Sequence, residues 1–159
     1  MIHINNVLLN KERLKLLKFV KPKLTLLTND DSKRSYPGLQ TPSDLHTKKE
    51  IQPLLKILKK RLNYNKVLHC WANYTDGSYI NWHRHNNNEN DKQEAVVYYL
   101  LNPDNLGTMF KDMMIPNYDK IYYTKAKQNS AIKFNASEVH SVPNSFKKIN
   151  RISIALNVI

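Results

Sequence analysis

Cysteine, glycine and long apolar runs are scarce in this chain. Its 159 residues include one Cys and three Gly. Because Cys70 has no second cysteine to pair with, no intrachain disulfide can form, and we expect a reducing, cytoplasmic location. No segment approaches the roughly 18–20 consecutive apolar residues that span a membrane. Residues 1–6 also lack the basic start and the small-residue cleavage site of a secretory signal, so we expect an intracellular protein without membrane contact.

Acidic residues are also few. The chain has 13 Asp and Glu against 25 Lys and Arg, which gives a formal net charge of +12 and a pI near 9.7. Such a charge favours an anionic partner, nucleic acid above all. The alternative is that the lysines are scattered over solvated faces and recognise no partner. The basic residues form no single block in the sequence, so the charge by itself names no partner.

The length predicts one domain over residues 1–159, with supporting helices in residues 1–65. Apolar residues at i, i+3, i+4 and i+7 predict a helix over residues 51–62. A second helix is expected over residues 11–20, with Asn10 as its cap. Turn-forming residues predict a long loop over 29–46, which could act as a lid.

The chain from residue 66 to residue 159 has the pattern of a β core. Short β-branched and aromatic runs, separated by turn residues, predict strands at Val67–Thr75, Tyr79–His83, Ala95–Leu101, Thr108–Phe110, Lys120–Thr124, Ala131–Phe134 and Ile152–Val158. Helices first and strands afterwards favour an antiparallel sandwich or barrel with helices packed on one face. The predicted fold is therefore mainly β with N-terminal helices.

His83 and His85 stand two residues apart, and on an extended strand such residues point to the same face. Two imidazoles on one face can share a metal ion. His140, which follows another predicted strand, would supply a third ligand and leave coordination positions open for a substrate.

Arg151 opens the last predicted strand, and Arg151, Ser153 and Ala155 share one face of it. A buried arginine beside a hydroxyl group, in an otherwise apolar strand, needs an anionic partner. A small dicarboxylate is the natural candidate. The alternative is a surface arginine at the end of a strand.

Several motifs in order carry a family resemblance. Tyr74-x-x-Gly77-x5-His83-x-His85 is followed by Val97-Tyr98-Tyr99-Leu100 and Gly107-Thr-Met-Phe110, then by His140 and Arg151-x-Ser153. With this spacing, residues 67–158 resemble the Fe(II)- and 2-oxoglutarate-dependent oxygenases of the prolyl-hydroxylase-like or AlkB-like branch. The resemblance implies a double-stranded β-helix, or jelly roll, supported by two or three helices. It also implies the use of Fe(II), 2-oxoglutarate and O2 to hydroxylate a protein side chain, a nucleic acid or a small molecule, with release of succinate and CO2.

The resemblance also implies roles for individual residues. His83 and His140 would bind iron, and Arg151, helped by Ser153 and Tyr74, would bind the far carboxylate of 2-oxoglutarate. The lining of the site is assigned to Trp71, Tyr98 and Asn157. If the substrate is a flipped base, its aromatic walls would come from Trp71, Trp82, Tyr79 and Tyr99.

His85 departs from the family pattern, which has Asp or Glu at this position. Either His85 replaces that carboxylate as the third metal ligand, which needs no rearrangement, or a nearby acid approaches the metal. The acids in question are Glu89, Asp91 and Glu94.

Two other classes of protein stay open at this point. The cupins share the jelly roll, and their metal-ligand pattern matches His83, His85, Glu89 and His140, although glycines of the cupin pattern are missing here. In that class Glu89 would bind the metal and 2-oxoglutarate would have no effect. The other class is a metal-free jelly roll that binds an anionic partner through its basic surface.

Overall fold

Two α-helices and nine strands are found in the part of the chain that the structure describes. The structure is a computed structural model, and it describes residues 1–26, 38–77, 81–85, 92–112, 120–145 and 147–159. In chain order the elements are β1 (Ile2–Ile4), α1 (Asn10–Val20), β2 (Leu39–Gln40), α2 (Gln52–Leu62), β3 (Val67–Thr75), β4 (Glu94–Leu101), β5 (Thr108–Asp112), β6 (Lys120–Thr124), β7 (Ala131–Asn135), β8 (Val139–Ser141) and β9 (Arg151–Val158).

The helices follow the predicted apolar spacing. In α2 the side chains of Leu54, Leu55, Leu58 and Leu62 are buried, and Pro53 lies in the first turn, where its missing N–H has no helical partner to lose. In α1 the residue before the helix, Leu9, takes the cap position, and its N–H donates to the Glu12 carboxylate at 3.0 Å. The prediction that Asn10 caps α1 is therefore wrong, because Asn10 is already helical.

The strands form two antiparallel sheets. The larger sheet has the order β1-β7-β4-β9-β3-β2, and the smaller sheet has the order β6-β5-β8. His83 extends the smaller sheet, because it forms an isolated antiparallel bridge to His140 on β8. Most pairings in the larger sheet join strands that are distant in sequence, as is common in a jelly roll, whereas β5 and β6 are consecutive. The prediction of a mainly β jelly roll with N-terminal helices is confirmed.

The larger sheet has a different apolar cluster on each face. Alternate residues of a strand point to opposite faces, and β4 shows this directly. Val96, Tyr98 and Leu100 join the helices in one cluster, which we call the helix-side core. Val97 and Tyr99 lie on the other face, in a second cluster between the two sheets, which we call the inter-sheet core. The site described below lies on the inter-sheet side.

Positive charge is concentrated in the N-terminal part of the chain. Fifteen of the 25 Lys and Arg residues and five of the 13 Asp and Glu residues lie within residues 1–66, so this part carries +10 of the net charge of +12. In α2 the basic side chains of Lys56, Lys59, Lys60 and Arg61 are exposed. One face of α2 is thus a basic surface. No helix in the described ranges is long and apolar enough to cross a membrane.

Two predicted features fall partly outside the described residues. In the predicted loop over 29–46, the described part contains β2 and a short 3-10 turn at Leu45–Thr47. The rest of that loop, and with it the prediction of a lid, lies outside the described residues. The predicted strand Tyr79–His83 falls within the described residues from residue 81 onward. In that part His83 forms an isolated bridge to His140.

Candidate metal centre

Three histidines meet at the smaller sheet. His83 and His140 are held together by a pair of backbone hydrogen bonds, His83 N–H to His140 O at 3.0 Å and His140 N–H to His83 O at 2.9 Å. The backbone N–H of His85 donates to Ala136 O at 2.9 Å. One ligand atom from each of the three side chains lies within 4.8 Å of the others. The three residues that the sequence singles out are therefore brought together by backbone pairing.

Each imidazole is held through its Nδ1 atom. His83 Nδ1 lies 2.9 Å from Asn81 O, and His140 Nδ1 lies 2.9 Å from Glu138 O. His85 Nδ1 lies 2.7 Å from the Asn157 side-chain oxygen Oδ1. Because these oxygens only accept, each Nδ1 carries the proton, which makes Nε2 the ligand atom of each ring. Three imidazole ligand atoms within 4.8 Å of one another form a donor set that suits a divalent metal ion.

Burial keeps two of the rings neutral. It lowers the pKa of His85 from its usual value near 6.5 to about 4, with a smaller contribution from the neighbouring His83 ring. Burial, then His83 and His85, hold the pKa of His140 well below the ordinary range. A neutral imidazole is the form that binds a metal, so these two rings need no deprotonation near neutral pH.

Aromatic side chains surround the histidines. The ring centroid of Phe134 is 4.8 Å from that of His140, and Phe110 is 6.1 Å from it. The Trp71 ring lies 5.2 Å from the His85 ring. Trp71, which the sequence assigned to the lining of the site, thus lies beside one of the three histidines. Phe110 and Phe134 belong to the inter-sheet core, which keeps water from one side of the cluster.

Arg151 is the largest fully buried side chain, with 2% of its surface exposed. Its NH1 donates to Ser153 Oγ at 3.3 Å and its Nε donates to Leu106 O at 3.3 Å. The guanidinium carbon lies 5.2 Å from the centre of the Tyr99 ring, which is within reach of a cation–π interaction. The buried arginine and hydroxyl predicted from the last strand are thus both present.

One face of β9 connects the arginine to the histidines. Arg151, Ser153, Ala155 and Asn157 alternate along the strand and so share a face. Arg151 lies at one end of this row, and Asn157, which contacts His85, lies at the other. The two side chains between them, Ser153 and Ala155, are small. The row therefore carries a buried cation at Arg151 and, at Asn157, the contact to the histidine cluster.

Two tyrosines assigned to the site lie elsewhere. Tyr74 pairs with Ile152 across the sheet and packs against the helix-side core. Tyr98 is buried in the same core, where its hydroxyl donates to Asn129 Oδ1 at 2.8 Å. Placing them at the site is wrong, because both point to the face of the sheet opposite the histidines.

Tyr99 is the residue whose role the sequence does not reveal. It was expected only as an aromatic wall for a base, but its ring lies next to Arg151 and its hydroxyl bonds Thr108 Oγ1 at 2.8 Å. Residues 95–100 of β4 are all apolar or aromatic and all buried, so no polar alternation marks which face each one takes. The pairing of Tyr99 with Ser153 on β9 puts its side chain on the inter-sheet face, beside Arg151.

Of the three acids considered as replacements for the third ligand, Glu94 is the one that falls in the described ranges. Glu94 forms an ion pair with Lys133 on the neighbouring strand, Oε2 to Nζ at 2.7 Å. Glu89 and Asp91 lie outside the described residues. In the described ranges the one group of metal-binding side chains is the three histidines.

Comparison with known proteins gives no match at the level of sequence, because no family model and no curated protein match the chain. Solved structures do match. A prolyl hydroxylase from Trichoplax adhaerens, solved with a hypoxia inducible factor peptide fragment, has a TM-score of 0.64 and 18% identity, covering 99% of this chain and 82% of that one. HygX from Streptomyces hygroscopicus, solved with nickel and 2-oxoglutarate bound, has a TM-score of 0.69 and 10% identity, covering 99% and 81%.

A third similar structure is a Pseudomonas putida prolyl-4-hydroxylase, with a TM-score of 0.63 and 12% identity, covering 99% of this chain and 90% of that chain. The chain therefore has the double-stranded β-helix fold of the Fe(II)- and 2-oxoglutarate-dependent oxygenases. The resemblance stated from the sequence motifs is confirmed at the level of the fold.

Proposed function

We propose that this protein is an Fe(II)- and 2-oxoglutarate-dependent dioxygenase that hydroxylates its substrate and releases succinate and CO2. One observation carries the proposal. The side chains of three histidines cluster within 4.8 Å of one another, one of them bonded to Asn157 on β9, and a buried arginine lies on the same face of that strand. A ligand that chelates a metal and carries a second carboxylate would use both groups, and 2-oxoglutarate is such a ligand.

The donor set fits a divalent metal. His83, His85 and His140 would hold the ion through Nε2, with each Nδ1–H fixed by an oxygen. When bound, the iron supplies the activation of O2 and the polarisation of the keto acid. Three neutral imidazoles leave its positive charge uncompensated, so the centre favours anionic ligands such as a carboxylate.

The other residues have binding and positioning roles. Arg151 would bind the distal carboxylate with two parallel N–H donors, and Ser153 Oγ would add a hydroxyl next to them. The Tyr99 ring packs against the Arg151 guanidinium and would hold it in position. Phe110 and Phe134 exclude water from the histidine side, which strengthens the electrostatic interactions made there.

The distribution of charge bears on the partner. The net positive charge lies mainly on residues 1–66, and the helices cover the face of the sheet opposite the histidines. An anionic partner, nucleic acid included, would therefore contact the helical surface and not the metal centre. In this proposal the basic surface serves docking and the histidines serve the chemistry.

The test is an anaerobic titration of the metal-free protein with Fe(II) and then with 2-oxoglutarate, monitored by the visible charge-transfer absorption of the chelate. We expect the band in the wild type and its loss in Arg151→Ala. Arg151→Lys keeps the charge but not the two parallel donors, and should weaken 2-oxoglutarate about 10- to 100-fold, the equivalent of one lost charge-assisted hydrogen bond.

Arg13→Ala is the matched control. Arg13 is also a buried arginine, but it donates to Leu100 O at 3.1 Å on the helix side of the sheet. Its replacement should lower stability and leave the band unchanged. Metal binding without a band would contradict the proposal and favour the cupin alternative, with Glu89 the next residue to replace. If the protein bound no metal at all, the result would favour the metal-free jelly roll that binds an anionic partner through its basic surface.

A further inference from the structure

We propose that Asn157 is the positioning residue that makes His85 a metal ligand in the place of a carboxylate. The inference rests on the proposed metal centre and concerns one of its three ligands. Asn157 was expected to line the site and contact substrate. The structure gives its side-chain oxygen a different partner, the Nδ1 atom of His85, at 2.7 Å.

The three histidines are not held in the same way. His83 and His140 each point Nδ1 to the backbone carbonyl two residues earlier, Asn81 O and Glu138 O. The local chain therefore sets those two rings. The carbonyl that would do the same for His85 belongs to His83, and it accepts the N–H of His140 at 2.9 Å. His85 is instead held by a side chain 72 residues away in sequence.

The position of Asn157 makes it a rigid support. It lies near the end of β9, in the middle of the larger sheet, paired with His69 on β3 and with Ala95 on β4. The backbone of His85 is held by a hydrogen bond from its N–H to Ala136 O at 2.9 Å, and its ring gains a fixed direction from the β9 strand. Hydrogen bonds of this kind fix the tautomer and the orientation of a ligating ring.

The side chain at position 157 is a neutral amide, and a carboxylate there would differ from it in charge. The Asn157 oxygen accepts the Nδ1 proton without adding negative charge, so the ligand and its support are both neutral. The centre therefore keeps its full positive charge for an anionic ligand. An aspartate at 157 would make the same hydrogen bond and add one negative charge beside His85.

The experiment measures Co(II) binding to the full-length protein in the absence of 2-oxoglutarate, by calorimetry and by the visible d–d absorption of the bound ion. Replacing a residue that orients a metal ligand typically weakens metal binding 10- to 100-fold. We expect Asn157→Leu to weaken Co(II) by about this factor and to change the d–d spectrum. Asn157→Asp keeps the acceptor, so it should bind Co(II) at least as tightly as the wild type.

Two comparisons separate positioning from a general structural role. Asn73→Leu makes the same substitution on β3, where the Asn73 oxygen accepts from Gln40 at 2.6 Å, and it should leave Co(II) affinity unchanged. In the second, Asn157→Leu is added to His85→Ala. If Asn157 acts through His85, the double variant binds Co(II) as the His85→Ala variant does, because nothing is left to position.

Three outcomes would overturn the inference. They are wild-type affinity in Asn157→Leu, a loss in Asn157→Asp as large as that in Asn157→Leu, and additive losses in the double variant. Failure of the wild type to bind Co(II) would be a different result, because it would contradict the proposed metal centre itself.

Discussion

The metal-free protein should lose stability in mild acid because His85 is held neutral. In the folded chain the pKa of His85 is about 4, against about 6.5 when the chain is unfolded and the ring is in water. The unfolded state therefore binds more protons between these two values, and the free energy of unfolding falls as the pH falls. His140 acts in the same direction, since burial also lowers its pKa.

The size of the effect follows from the shift at His85. Between pH 7 and pH 5 this single ring removes about 2 kcal/mol from the free energy of unfolding, and the loss is complete below about pH 4. That is a substantial part of the 5–15 kcal/mol typical of a domain. Bound metal should prevent most of the loss, because it binds the neutral rings and competes with the proton.

The assay is urea unfolding of the chelator-treated protein at the two pH values. His85→Gln has no group that titrates there, so it should lose about 2 kcal/mol less than the wild type between them. The carboxylates titrate in both proteins and cancel in the comparison. His3→Gln is the control, at an exposed position on β1, and should lose as much as the wild type. An equal loss in wild type and His85→Gln would refute the reasoning.

Two further predictions concern other parts of the molecule. Gly107→Ala should destabilise the fold by about 1–3 kcal/mol or more in urea unfolding, because a Cβ at residue 107 would overlap the backbone carbonyl of Thr124. If Gly107→Ala were as stable as the wild type, residue 107 would not lie so close to the Thr124 carbonyl. Replacing three exposed lysines of α2 (Lys56, Lys59 and Lys60) by glutamine should lower the salt concentration that elutes the protein from heparin, with the 2-oxoglutarate band unchanged. The control makes the same change at three exposed lysines in and after β6 (Lys120, Lys125 and Lys127) and should have a smaller effect. Equal effects would show that the basic surface is not confined to α2.

The neutral donor set distinguishes this chain from the pattern it resembles. In the proposed centre, with His85 in place of Asp or Glu, a divalent ion and its three protein ligands would carry a net charge of +2. The cosubstrate carboxylate would then be the first negative charge at the metal. We therefore expect metal affinity and 2-oxoglutarate affinity to depend on each other strongly, and reciprocally, as linkage requires.

The sequence by itself determined both helices and most of the longer strands, and it singled out the candidate metal ligands. The apolar spacing of α2 and the turn residues between the strands are local signals, and local signals fix element type. His83-x-His85, His140 and Arg151-x-Ser153 were also readable, because a two-residue spacing in a strand defines a shared face before any partner is known.

Only the tertiary structure decided which residues complete the site. β4 is buried on both faces, so its sequence has no polar alternation, and Tyr98 could not be distinguished from Tyr99 until β4 was paired with β9. The support of His85 by Asn157 joins positions 72 residues apart. Such a contact depends on strand order and register, and a shift of one residue would turn Asn157 to the opposite face.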